Sequence, residues 1–420
     1  MEGRDLTAMY PMLSIEEARE RVLAGLVPLE AESVPILEAL GRVLARDVMA
    51  GYDIPPHANT AMDGYAIQSK DTQEASPDNP VRLRVIAELP AGYVSSEPVV
   101  PGTAIRIMTG APIPAGADAV VRFERTRKDG EFIEITQPVP AGKEVRYAGE
   151  DVKKGSVVLR RGRRLRPQDV GMLASIGVIE AEVTRRPRVG VLATGDELVS
   201  IAAPLTPGKI RNANGYSNAA QVLKYGGEPV LLGIASDSDE EIKEKIRRGI
   251  EEGVDLIVVS GGVSVGDFDV VKKVLAQEGE IDFWRVRMKP GKPLAFGHIS
   301  IGSKRVPVLG MPGNPVSAMV SFEMFARPMI LTLLGASDVE HRAVSAVLAD
   351  AISSKDDRRH FVRVRLAETE HGYLAHLTGD QGSGILTSMV EADGLAVIPE
   401  QWHSVEPGAR VRVILLGDRL

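Results

Sequence analysis

The spacing of apolar residues changes several times along this chain, and each change marks a structural unit. Ser14-Ile15-Glu16-Glu17 has the form of a capping box, and Ala18, Val22 and Leu23 continue it as a helix towards Gly25. A second helix is expected through Ile36, Leu37, Leu40 and Leu44, with Gly41 as its weak point. The segment Asp53-Ile54-Pro55-Pro56-His57 is a proline-marked break that closes this unit. From 54 to 151 the period shortens to two. Val81, Leu83 and Val85 alternate with Arg82 and Arg84, and residues 119–123 and 132–135 flank an Asp129-Gly130 hairpin turn. From 152 to 184 the pattern reads as helical again, with Pro167 in a first turn and Val170, Leu173 and Ala174 on one face.

From 185 to 335 short apolar strands alternate with helices. Residues 188–193, 230–234 and 255–259 read as strands, 214–225 as a helix, and Ser238 with Glu241 as the capping box of another. This βαβ order predicts a mostly parallel sheet with helices on both faces. After Gly335 strict alternation returns: Val362, Val364 and Leu366 alternate with Arg363 and Arg365, and residues 410–414 close the chain the same way. A small C-terminal β-barrel or sandwich is expected there.

Composition narrows the function more than the fold. A length of 420 residues is too great for one core. A net charge of −7, from 50 basic and 57 acidic residues, gives no bulk attraction to nucleic acid or to an acidic membrane. The absence of cysteine removes disulfides, thiolate metal sites and Cys nucleophiles. No apolar run approaches the roughly 18–20 residues of a membrane span, and the N-terminus carries Glu2, Arg4 and Asp5 rather than a signal segment. A cytoplasmic protein is the expectation.

Candidate chemistry centres on residues 255–269. An Ile/Val strand stops at Ser260, a loop with Gly261, Gly262, Ser264 and Gly266 follows, and Asp267 stands where a helix N-cap belongs. Such a loop offers free N–H groups and a helix dipole to an anion. Asp267 and Asp269 beside that anion call for a cation between them, and Mg²⁺ is the usual choice. By the same reading Glu197 and Asp237 fall at the carboxyl ends of neighbouring strands, where ligands bind in parallel sheets. Lys289-Pro290-Gly291-Lys292-Pro293 sets two ammonium groups on a stiff turn, and residues 309–317 lead from a strand into a helix as a second anion cradle. Three glycine-containing loops in the β region carry polar residues suited to a ligand. They hold Asp63 (59–66), Thr109 (108–114), and Arg146 with Asp151 (146–151).

Taken in order, the stretches Ala61-Met62-Asp63-Gly64-Tyr65-Ala66, Met108-Thr109-Gly110-Ala111-Pro112, Gly149-Glu150-Asp151, Thr194-Gly195-Asp196-Glu197-Leu198, Ser260-Gly261-Gly262-Val263-Ser264-Val265-Gly266-Asp267, Lys289-Pro290-Gly291-Lys292-Pro293 and Pro312-Gly313-Asn314-Pro315 resemble the molybdopterin molybdenumtransferases. Gephyrin's C-terminal domain belongs to that family. The resemblance runs from about residue 12 to the C-terminus, and its strength lies in seven short motifs in one order. It implies a substrate pair of adenylated molybdopterin and molybdate, release of AMP, and a requirement for Mg²⁺ or another divalent cation. It also implies an elongated homodimer with an active site shared between subunits, and a transient contact with molybdopterin adenylyltransferase.

The implied fold is α/β plus β in four parts. These are a bipartite linking domain (10–53 and 152–184), an inserted β-rich domain (54–151), an α/β molybdopterin-binding domain (185–335) and a C-terminal β-barrel (336–420). By the same resemblance Glu197, Asp237 and Asp269 would hold the cation, with Asp267 capping the loop helix; which of the two aspartates binds metal stays open. Gly261, Gly262 and Ser264 would be loop donors. Lys289 and Lys292 would attract molybdate. Pro312, Asn314 and Ser317 would line the cofactor side, and Arg358 with Ser383 would form an oxyanion-binding pair. Asp63, Thr109, Arg146 and Asp151 would come from the partner's β domain. Molybdopterin adenylyltransferase activity and a gephyrin-like scaffold are the alternatives. The extra domains argue against the first, and the lack of an added interaction domain argues against the second.

Overall fold

The computed structural model describes residues 12–262, 274, 279–353 and 356–417. Helix α1 (Ile15–Leu23) opens on the expected capping box: the Glu17 N–H donates to the Ser14 hydroxyl, and the Glu17 carboxylate accepts from the Ser14 N–H at 2.8 Å. Strand β1 (Ala31–Pro35) and the short β2 (Val48–Met49) follow. The second helix expected here does not form. Residues 36–41 make a single helical turn between Pro35 and Gly41, whose φ is +75°. Five residues between such breakers are too few to repay helix nucleation. Leu37 and Leu40 are left facing outward.

The next strands are β3 (Asn59–Thr60), β4 (Gly64–Ile67), β5 (Val81–Leu89), β6 (Thr103–Ile107), β7 (Ala119–Arg122), β8 (Thr126–Asp129), β9 (Phe132–Ile135) and β10 (Val145–Arg146). Six of them form one sheet in the order β7-β4-β6-β5-β9-β8. The Asp129-Gly130 turn is present, but β8 rather than β7 is the first arm of its hairpin, with Asp129 opposite Phe132. The more apolar β7 pairs instead with β4, where Val120 and Val121 are buried. Tight backbone approach fixes that pairing. A Cβ on Gly64 would lie 2.1 Å from the Val121 carbonyl oxygen.

Residues 152–184 hold one helix rather than a helical stretch: β11 (Val157–Leu159), α2 (Pro167–Ser175) and β12 (Glu180–Thr184). Strand β12 pairs with β1 and β11 with β2, so these residues close a unit begun more than a hundred residues earlier. Asp169 anchors it. Burial alone would raise its pKa. The Arg163 guanidinium at 2.8 Å, the Arg166 N–H at 3.0 Å and the Arg166 guanidinium outweigh this and hold it low. A carboxylate with a depressed folded pKa stabilises above its ordinary value near 4 and loses that contribution as pH falls. Asp169→Asn is therefore expected to cost about 1–3 kcal/mol at pH 7. The gap in Tm between wild type and variant should narrow below about pH 4. An equal gap at pH 7 and in acid would contradict this role.

Beyond β12 the sheet predicted from βαβ order is present. Its first elements are β13 (Arg188–Thr194), the small pair β14 (Leu198–Val199) and β15 (Ile210–Arg211), α3 (Ala213–Lys224), β16 (Glu228–Ala235), α4 (Asp239–Glu251) and β17 (Leu256–Ser260). Then come β18 (Gly279–Arg285), β19 (Met288–Lys289), β20 (Pro293–Ile301), β21 (Lys304–Met311), α5 (Pro315–Ser321), a π-helical turn (Phe322–Ala326) and α6 (Arg327–Leu333). The strand order is β16-β13-β17-β21-β20-β18. The first four are mutually parallel, and β20 and β18 are antiparallel additions. At α4, Ser238 is the N-cap, but its side chain makes no capping bond. Glu241 accepts instead from the Ser236 N–H and hydroxyl. Residues 315–333 form one helical run through the π-helical turn. This helical run is long and apolar enough to cross a bilayer, yet it is packed inside the protein as a core helix.

The chain ends in β22 (Ala343–Leu348), β23 (Ile352–Ser353), β24 (Arg359–Thr369), β25 (Gly372–Leu377), α7 (Thr387–Val390), β26 (Gly394–Ile398), β27 (Ser404–Val405) and β28 (Arg410–Leu415). Strands β24, β25, β22, β28 and β26 pair in that order, and β26 pairs back with β24, closing a five-stranded barrel. One apolar cluster runs without a break from Val22 through Phe296 and Phe325 to Phe361, Leu395 and Ile414. The α/β unit and the barrel are thus packed on each other, which fixes the geometry of the cleft between them.

Candidate active site

Three sets of side chains stand out. The first lies along the carboxyl edge of the parallel strands. Strand β17 ends at Ser260, and Gly261 follows with a φ of +99°. A Cβ there would sit 2.4 Å from the Thr194 carbonyl oxygen, so only glycine lets the backbone at this position lie against the end of β13. Glu197 and Asp237 are exposed just past β13 and β16, two adjacent parallel strands, and the Asp237 N–H donates to the Asp196 carboxylate at 3.1 Å. Among the described residues, the buried hydroxyls of Thr194 and Ser260 and the side-chain oxygen of Asn214 have no hydrogen-bond partner. Polar groups left unpaired at a strand edge are what a polar ligand would satisfy. Ser264, Asp267 and Asp269 lie outside the described residues.

The second set lines a cleft of about 610 Å³ between the α/β unit and the barrel. It gathers Lys289, Lys292, Pro312, Asn314, Ser317, Arg358 and Ser383. The sequence reason is local stitching. Strand β19 pairs with the start of β24, with Lys289 opposite His360, so the lysine turn is held on the barrel. Asn314 donates to the Ser383 hydroxyl at 2.8 Å, and the Val316 N–H donates to the Ser383 carbonyl. Asn214 donates to the Gly313 carbonyl at 2.7 Å, so the 312–314 loop is a wall shared by the cleft and the strand edge.

Four cleft residues carry no motif signal: Asp356, which stands just behind the lining, and His360, Arg363 and Gln381 within it. Simple alternation along β24 turns Arg363 outward with Arg365. Instead Arg363 is 1% exposed, donating to the Ser388 hydroxyl and the Gly382 carbonyl. Burial pushes its pKa down. Asp356 accepts from the Arg358 guanidinium at 2.7 Å and pairs with His360, and these contacts hold its carboxyl well below the usual range. Only a folded barrel brings residues 356–363 against 289–292, so no sequence pattern marks them.

The third set is in the β domain. Asp63 accepts from both the N–H and the hydroxyl of Thr109 at 2.7 Å, which lowers its pKa. Strand β3 lies between the 110–113 loop and β10, which brings Arg146 to the same edge. The Asp151 N–H donates to the Ile54 carbonyl. All four are exposed, and none lines the cleft, whose walls come from residues 289–383.

Among the described residues no group of three or more His, Asp or Glu gathers at metal-ligating spacing. Mg²⁺ is commonly held through one or two carboxylates and water, so Glu197 and Asp237 on adjacent strand ends fit it as hard oxygen donors.

Comparison with known proteins matches three regions. Residues 13–177 match the MoeA N-terminal region (domain I and II), 190–332 the probable molybdopterin binding domain, and 345–416 the MoeA C-terminal region (domain IV). The chain is 35% identical over 411 residues to a molybdopterin molybdenumtransferase of Bacillus subtilis, covering 97% of this chain and 94% of that one. It is 36% identical over 408 residues to molybdopterin molybdenumtransferase 2 of Mycobacterium tuberculosis, covering 96% and 99%. A crystal structure of the molybdopterin biosynthesis moeA protein from Pyrococcus horikoshii OT3 superposes with a TM-score of 0.84 at 36% identity, covering 96% of this chain and all of the other.

Proposed function

The chain belongs to the molybdopterin molybdenumtransferase family, and from that premise we propose that it inserts molybdate into adenylated molybdopterin and releases AMP. The observation that carries this reading is the cleft in which Lys289, Lys292, Ser317, Arg358 and Ser383 face one another. Cations and hydroxyls gathered in one cleft suit a small tetrahedral oxyanion. Molybdate binds there, and the lysines balance its charge. Adenylated molybdopterin lies along the strand edge, its phosphates on the Gly261–Gly262 loop, with the 312–314 loop bordering both ligands. Glu197 and Asp237, with Asp267 or Asp269 of the same loop, hold a divalent cation. When bound, the cation supplies charge neutralisation at the phosphoanhydride that is cleaved.

Asp63, Thr109, Arg146 and Asp151 act from a second subunit in this reading. A homodimer is supported by apolar surface on the unit of β1, β2, β11 and β12. Leu37 is 80% and Ile179 81% exposed, and the Ile36 N–H bonds the Ile179 carbonyl, so the two are neighbours. Met49 and Val157, partners across β2 and β11 of the same unit, are also exposed. The reaction takes place in the cytoplasm, in keeping with a chain that has no cysteine.

The test is to incubate the protein with adenylated molybdopterin and Mg²⁺, with and without molybdate, and to measure AMP and active cofactor. Molybdate-dependent AMP release is expected. Equal release without molybdate overturns the reading, and formation of adenylated molybdopterin from ATP indicates an adenylyltransferase instead. Light scattering is expected to give the mass of two chains; the mass of one removes the shared site.

A further inference from the structure

We infer that Asp356 acts as a built-in counter-anion that restrains the affinity of the cleft for its oxyanion. Its carboxylate stands behind two of the cleft's cations. It accepts from Arg358 through Nη2 at 2.7 Å, Nε at 3.1 Å and the backbone N–H at 3.2 Å, and it lies 3.6 Å from Lys289 Nζ. His360, 5% exposed, holds the same carboxylate at 2.9 Å. Arg358, Lys289 and His360 all line the cleft, whereas Asp356 does not. Two of the four cationic side chains there are therefore already paired before any ligand arrives. Lys292 and the buried Arg363 belong to no ion pair with Asp356 among the described contacts.

The electrostatics set the sign. An oxyanion entering the cleft must share Arg358 and Lys289 with a carboxylate a few ångströms away, or draw them off it. Either route weakens binding, through like-charge repulsion or through lost ion pairing. Restraint has a use in transfer chemistry. An oxyanion held too tightly in the ground state gains nothing in the transition state, and the barrier to passing it on rises. Asp356 thus acts through Arg358 and Lys289 as a positioning residue. A purely structural role, in which it only holds Arg358 in place, predicts the opposite sign on removal.

This inference rests on the reading of the cleft as a molybdate site, and the test separates the two. Molybdate alone is titrated into the full-length protein at fixed ionic strength by calorimetry. Asp356→Asn keeps the shape and an acceptor for Arg358 but removes the charge. Its Kd for molybdate is expected to fall about five- to tenfold, with a parallel fall in the molybdate KM for AMP release. An unchanged or higher Kd overturns the inference. If the wild type binds no molybdate, the reading of the cleft fails and takes this inference with it. If the wild type binds and the variant is no tighter, only the inference fails. Should the variant not fold, a crystal structure of the wild type with molybdate decides: the Arg358–Asp356 or Lys289–Asp356 contact is expected to lengthen. Retention of both at their present distances, with molybdate on neither Arg358 nor Lys289, overturns the proposal.

Discussion

Lys292→Ala is expected to lower molybdate-dependent AMP release by about 30- to 1000-fold while leaving the fold intact. The size follows from one charge-assisted contact to a dianion in a half-buried cleft, worth about 2–4 kcal/mol at roughly 1.4 kcal/mol per decade. The fold is spared because the turn is held by its backbone: the Val286 N–H donates to the Lys292 carbonyl at 3.1 Å, and alanine keeps that bond. Lys292 is preferred to Lys289 for this test. Lys289 is half exposed and already faces Asp356, so part of its charge is spent before the ligand binds. Initial rates over a range of molybdate concentrations check the effect. A change of less than about threefold would remove Lys292 from the oxyanion site.

Arg363→Met is expected to separate function from stability. The folded environment disfavours the charged guanidinium, chiefly through burial, so the cation costs stability at neutral pH. Methionine relieves that cost but gives up the hydrogen bonds to Ser388 and to the Gly382 carbonyl. The two terms are of similar size and opposite sign, so the stability change should stay within about 1 kcal/mol. Activity should nevertheless fall by about tenfold or more, because the residue carries positive charge into the cleft and clamps the loop that presents Ser383. Denaturant unfolding and the AMP assay check the two halves. Loss of several kcal/mol would make Arg363 a structural residue, and full activity in a stable variant would place it outside the site.

Local chemistry explains which parts of the fold were readable. The α1 capping box, the α3 helix and the strands around 188–194 and 256–260 announce themselves because each depends on residues three to five apart. The failures come from competition between local and distant partners. A helix pattern at 36–44 lost to Pro35, Gly41 and the pairing of β1 with β12. At Glu241 the nearer donor was Ser236 rather than Ser238. Residues 119–122 look like one arm of a hairpin, but β4 offered them a buried position that β9 did not.

The same division runs through the site. Sequence by itself determined the glycine loops, the lysine turn and the order of motifs, because each is a short run whose backbone needs dictate its residues. It also brought Arg358 and Ser383 into consideration, though their surroundings are set far away. Only the tertiary structure decided that residues 289–292, 312–317, 356–363 and 381–383 share one cleft. It decided too that Arg363 points inward and that Asp356 stands behind the cations. The reason is physical. A strand's alternation says which side chains share a face, but closing the barrel against the α/β unit selects the neighbour each face will meet.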